Sequence, residues 1–139
     1  MSQALTPALA LDYVRELSAD VRAAIVLDGA GRLLAGPPQL ADLSRDLLAA
    51  AGDAAELEAA TGDGVVCAVR STEHAVVAVC GRFAIAAVVR QDLRAAVAAL
   101  DGRRPGAAAP VAALEAPPPD PLARAAEVLI SAAQRASDV

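Results

Sequence analysis

A lone imidazole, two thiols and a glycine-bearing loop that begins at Asp28 are the features of this chain that invite a chemical reading. His74 follows Ser71 and Glu73 at the joint between two strand-like runs. A Ser–His or Cys–His nucleophile pair needs a buried, oriented base, and a histidine at a turn reads instead as a solvated side chain. Cys67 and Cys80 are too few for a disulfide framework. With one histidine and no acids clustered around them they lack the ligands for a zinc site. Asp28-Gly29-Ala30-Gly31 invites a nucleotide-loop reading, but Leu34 stands where a dinucleotide fingerprint has its third glycine, and a strand follows instead of a helix. Hairpin-turn chemistry explains it better. All twelve basic residues are arginine, which removes Schiff-base lysines and the phosphate-binding lysine of a P-loop. The expectation is a protein with no catalytic residue, cofactor or metal.

Composition narrows the classes further. A net charge of -5 opposes nucleic-acid binding, which needs a basic face. Hydrophobic residues make up 56% of the 139 positions but aromatics only 1%, so Val, Leu, Ile and Ala must fill the core. Alanine buries little area, and at about 25 cal/mol per Å² such a core is thin for its length. Association would bury more. The start, Met1 to Pro7, has neither a basic n-region nor a long apolar h-region, and Arg82, Arg90 or proline interrupts every apolar stretch before 18 residues. No signal peptide or membrane insertion is expected, and the cytoplasm is the default location.

The elements that must position these groups follow from spacing. Thr6-Pro7 suits an N-cap with proline at the first helical position, and Ala10, Val14, Leu17 and Val21 recur at helical intervals, predicting a helix over 7–20. Residues 23–27 form an apolar strand, and 32–35 return after the Asp28–Gly31 turn. A second helix runs from about Gln39 to Ala51, carrying Leu40, Leu43, Leu47 and Leu48, with Gly52 as its C-cap. Residues 54–61 fit either a polar edge strand, from Glu56-Leu57-Glu58, or a further helical turn. Residues 65–69 and 75–80 are the clearest strands, joined around Thr72-Glu73. Ile85, Val89, Leu93, Ala96 and Leu100 share one helical stripe, so 83–100 reads as one helix. Residues 103–120 are a Pro/Ala-rich spacer, able to reach on the order of 50 Å when extended. Residues 121–139 hold an amphipathic tail helix with Leu122, Ala126, Leu129 and Ala133 on one face and Ile130 beside them. The domain proper is 1–102.

If the Thr72-Glu73 turn pairs Arg70 with Ala75, then Val65, Cys67, Val69, Val76, Ala78 and Cys80 share one sheet face. Val66, Ala68, Val77 and Val79 share the other. Cys67 and Cys80 then lie diagonally, roughly 7 Å or more apart, too far for a disulfide, and act as small buried hydrophobes. An antiparallel sheet normally leaves one face to water; this one is apolar on both. Cover on two sides is more than so small a chain is expected to supply, which points to a second copy.

This order of elements resembles the roadblock/LC7 domain family over about residues 7–101. The resemblance is carried by Ala23 to Ala35 after an opening helix, by His74 to Cys80, and by Leu93 within Arg90-Gln91-Asp92-Leu93-Arg94. It implies an α+β (α/β) three-layer sandwich of order α-β-β-α-β-β-β-α. In it a five-stranded antiparallel sheet carries the first and last helices on one face and the middle helix on the other. It also implies a homodimer in which the middle helix and the edge strand each pair with their copies, burying Leu40, Leu43, Leu47 and Leu57. Bacterial members typically act beside Ras-like small GTPases as dimeric regulators or scaffolds, without catalytic groups of their own. Profilin-like and GAF-like domains share parts of the pattern.

Two surfaces remain as partner-docking candidates. Arg90 and Arg94, four apart on the last helix, form either a solvated face or a dock for an acidic patch. The tail helix, with Leu122, Leu129 and Ile130, suits helix-in-groove recognition, against the alternative of a segment too short to be stable alone. If it docks, the groove could be on its own dimer, in competition with a partner. The function expected is a non-enzymatic homodimeric module that binds or regulates a Ras-like small GTPase or related signalling complex. The alternatives are a small-molecule sensor, disfavoured by the scarcity of polar and aromatic residues to line a pocket, and a purely structural dimerisation scaffold.

Overall fold

The structure, a computed structural model, describes residues 5–17, 19–102 and 120–137. Helix α1 is Pro7–Leu17, opened by Thr6, whose Oγ1 accepts the Leu9 amide at 3.3 Å. It stops short of residue 20 because the chain turns at Ala19-Asp20 to enter β1 (Val21–Asp28). Strand β2 (Leu33–Ala35) returns alongside it. A 3-10 turn at Pro38–Leu40 leads into α2 (Ala41–Ala50). Gly52, at φ +63°, lies just past its end in the left-handed conformation that favours glycine.

Residues 56–61 settle as an edge strand, β3 (Glu56–Thr61), with Leu57 and Ala59 buried and Glu58 and Ala60 exposed. That alternation is the two-residue period a helical turn would break. Strands β4 (Gly64–Arg70) and β5 (His74–Cys80) follow, paired with Arg70 opposite Ala75, the register expected from the turn. Helix α3 is Ala86–Leu100 and begins later than the apolar stripe implies. Ala84 closes a turn onto Gly81, leaving Ile85 in extended backbone and 67% exposed. Val89, Leu93, Ala96 and Leu100 are buried as the stripe predicts. Helix α4 is Asp120–Ser137. The expected spacer lies outside the described residues, apart from Asp120.

The sheet is antiparallel, ordered β2-β1-β5-β4-β3. Helices α1 and α3 cover one face, packing Ala10, Val14, Val89, Leu93 and Leu100 on Val65, Cys67, Val69, Val76, Ala78 and Cys80. The opposite face, with Val66, Ala68, Val77 and Val79, lies under α2 and α4. Both apolar faces are therefore covered within one chain. The expectation that cover must come from a second copy is corrected at this point, because the tail helix supplies it.

Candidate interaction surface

The α2–α4 layer holds most of the residues singled out by sequence. Leu40, Leu47 and Leu57 are 0%, 0% and 3% exposed in the single chain, and Leu43 is partly buried against the same cluster. Leu122, Leu129 and Ile130 join them from α4, with Ala126 and Ala133 between. Helix α4 lies alongside α2 and over β3 and β4, so the leucines expected at a subunit contact are packed against the tail of their own chain. Ser44 Oγ is fully buried in this layer without a hydrogen-bond partner among the described residues. The α4 side chains pointing outward include Arg124, Glu127 and Arg135.

Arg90 and Arg94 are neither a bare solvated face nor a vacant dock. Arg94 clamps Glu56 of β3 through Nε at 2.7 Å and Nη2 at 3.1 Å, the fork-to-carboxylate geometry that strengthens such bonds. Arg90 Nε stands 3.4 Å from Glu58 Oε2, without hydrogen-bonding alignment, and its Nη1 is 3.8 Å from Glu56. These pairs join α3 to the edge strand. Glu56, which looked like ordinary edge polarity, is therefore bound inward, while Glu58 stays exposed beside Arg90.

Arg70 was not singled out by sequence. At the end of β4 it donates to the carbonyls of Leu48 (3.1 Å), Ala54 (2.8 Å) and Gly52. A guanidinium there meets the negative end of α2, adding to the backbone bond that the Leu48 carbonyl accepts from Ala51. A strand-final arginine after a glycine-capped helix is the only local signal, and spacing alone cannot aim it.

The remaining chemistry-bearing groups are structural too. Asp28 Oδ1 accepts the backbone amides of Arg32 (2.8 Å) and Ala30 (2.9 Å), and these bonds, Arg32's foremost, hold its carboxyl below the usual value. A Cβ on Gly29 would meet the Thr72 carbonyl at 2.1 Å, so this turn packs backbone to backbone on the β4–β5 turn. The glycine-flanked loop is thus a hairpin turn, as read. Cys67 and Cys80 are free and buried, and burial above all pushes their thiols up to about 12 and about 11, which leaves them poor nucleophiles at neutral pH.

His74 departs from expectation. It is not solvated: its side chain is 20% exposed, and Nδ1 lies 2.5 Å from Oδ1 of Asp101, which is 4% exposed at the end of α3. Glu73 brings a third potential ligand atom within 4.8 Å. Two ligand atoms on one tetrahedral zinc would stand about 3.4 Å apart, so the closed His74–Asp101 contact holds a hydrogen bond in the space an ion would need.

With this geometry in view, the chain can be compared with known proteins. No family model matches the sequence, and no curated protein does. Solved structures do. A roadblock/LC7 domain from Streptomyces avermitilis superposes with a TM-score of 0.58 at 15% identity, covering 70% of this chain and 96% of that one. The fold is a roadblock/LC7 fold. Gliding protein MglB from Thermus thermophilus aligns at TM-score 0.50 and 16% identity over 86% of this chain and 87% of its own. A second MglB structure, described as having a tetrameric arrangement, matches at 0.50 and 17% over 87% and 88%. Profilin II of Acanthamoeba castellanii reaches 0.51 at 14% identity over 70% and 98%. The two MglB alignments take in more of this chain than the stretch up to Gly102 can supply, so they extend past the roadblock fold proper.

Proposed function

We propose that this protein is a non-enzymatic regulatory module that self-associates and binds a Ras-like small GTPase or a related signalling protein, in the cytoplasm. The observation that carries this reading is the roadblock/LC7 fold, shared with MglB over a span reaching beyond the domain itself. The site chemistry agrees with it. His74 is tied to Asp101, the thiols are buried with raised pKa values, and the arginines on α3 are engaged by β3. What the fold offers a partner is surface. Among the described residues no helix is long and apolar enough to cross a membrane.

The deciding experiment is capture from native cell extract on the full-length protein, with the extract supplemented by GDP or by a non-hydrolysable GTP analogue. Enrichment of one small GTPase in a nucleotide-dependent manner is the expected result. Its absence, together with a thermal shift produced by a nucleotide or metabolite alone, would replace this reading with that of a small-molecule sensor.

A further inference from the structure

We infer that the outer groove between α1 and α3, on the face of the molecule away from α4, docks a basic amphipathic helix of a partner protein. The inference goes beyond the small-GTPase reading and does not depend on it, because the groove selects a helix by its chemistry whichever protein carries it. Three observations lead there. First, the exposed apolar side chains are not scattered. Of the eight large hydrophobic residues exposed among the described ones, six lie here: Leu9, Tyr13 and Leu17 on α1, and Phe83, Ile85 and Val88 at the start of α3. They include the only tyrosine and the only phenylalanine of a chain without tryptophan. A core short of aromatic volume thus leaves both rings outside, where aromatic residues anchor interfaces.

Second, these residues border one groove. Leu9, Tyr13 and Leu17 recur every four positions, a single stripe of α1. Leu11 and Arg15, on the other flank of α1, line a hollow beside Gly36 and Leu40, so the stripe borders α3. Arg90 and Arg94 reach β3 from one flank of α3, and Val88, Asp92, Ala95 and Ala99 form the other, toward α1. Leu5 N donates to Ala99 O at one end of the helix pair, and Gly81 N to Asp20 O at the other. The two helices therefore run antiparallel, and at about 1.5 Å per residue Leu17 comes level with the first turn of α3. A stripe of about three turns suits the i, i+4, i+7 anchors of one docked helix.

Third, the charges in and around the groove are acidic and unspent. The carboxylates of Asp12, Glu16 and Asp92 have no ion-pair partner among the described residues. Burial holds the Asp92 carboxyl above its usual value, and no cation offsets that effect. The arginines nearby are committed elsewhere: Arg90 and Arg94 to β3, and Arg82 over the Phe83 ring at 4.8 Å. A helix with apolar anchors flanked by lysine or arginine would cover the stripe and pair Asp92 at once. The chain's net charge of -5 favours the approach of such a partner.

The test selects a display library of helical peptides, about five turns long, on the full-length protein, with apolar and charged positions both randomised. Enriched sequences are remade without tyrosine or tryptophan and titrated against it. Tyr13 emission is then the signal, since the chain has no second tyrosine and no tryptophan. The enriched helices should be basic and amphipathic and should change that emission. They should bind a Glu16→Gln, Asp92→Asn variant at least about fivefold more weakly, and Leu17→Ser, at an exposed site, should weaken them too. Glu127→Gln, on the outward side of α4, should change nothing. Enrichment of acidic or neutral helices overturns the inference, as does no enrichment at all. Basic helices indifferent to Asp92, or equally sensitive to Glu127, overturn it as well. Tyr13 emission that changes with protein concentration alone would make a second copy the occupant, and a change on adding phosphatidylserine vesicles would make it a membrane surface; either result replaces the partner helix.

Discussion

Burial turns the two cysteines into recorders of the fold. Both thiols titrate far above their ordinary value near 9.0, Cys67 at about 12 and Cys80 at about 11, with desolvation the chief cause. The native state thus holds protons that the unfolded chain releases between pH 9 and those values. The stability this represents is fully present below pH 9 and is lost as pH rises toward 11 and 12. The urea midpoint should therefore fall between about pH 8 and about pH 10.5, and fall less in a Cys67→Ala, Cys80→Ala variant. Arg70 gives a second prediction at this scale. Its guanidinium serves three carbonyls around the end of α2, so Arg70→Ala should destabilise by about 2–3 kcal/mol in chemical denaturation. An equal loss in Arg70→Lys would show that the fork geometry, rather than the charge, is what α2 requires.

Among the elements, β3 is held from three directions: by β4 along its inner edge, by α4 above Leu57 and Ala59, and by Arg90 and Arg94 of α3 on its other face. A double-mutant cycle on Glu56→Ala and Arg94→Ala should give a coupling of about 1 kcal/mol, reduced by added salt. The Arg94 side chain is 35% exposed, and water screens it. Zero coupling at low salt would mean that α3 does not hold the edge. This strand also shows what the sequence could tell. The Glu56-Leu57-Glu58 alternation left an edge strand and a further helical turn both open, and the structure decides for the strand, while the Thr72-Glu73 turn gave the register that sorts the residues of β4 and β5 by face. The arginine partners were not legible, because Glu56 and Arg94 are 38 positions apart and no local period links them. His74 and Asp101, 27 apart, were missed for the same reason. Ile85 misled because the Gly81–Ala84 turn breaks the helix that its spacing seemed to continue.

At the scale of the whole molecule, the sheet's two faces are apolar alike but are covered by different means. Helices α1 and α3 flank the strands in sequence, and Leu5 N donates to Ala99 O at 3.0 Å to tie one to the other. The second face depends on α4, whose apolar pattern revealed a buried side without revealing what would bury it. A helix pattern fixes which residues need cover, while the partner surface is a tertiary choice. The asymmetry predicts unequal costs for equal truncations. Leu93 and Leu129 are both 0% exposed. Leu93→Ala opens the α1–α3 core and should lower global stability by about 2–5 kcal/mol. Leu129→Ala removes the same volume, but its effect on global unfolding cannot exceed what docking of α4 contributes. The excess should appear as faster hydrogen exchange confined to α4. Equal shifts of the denaturation midpoint, with exchange in β4, β5 and α4 rising together, would mean that helices α1 to α4 and the sheet open as one unit. The tail would then be as much a part of the core as α3.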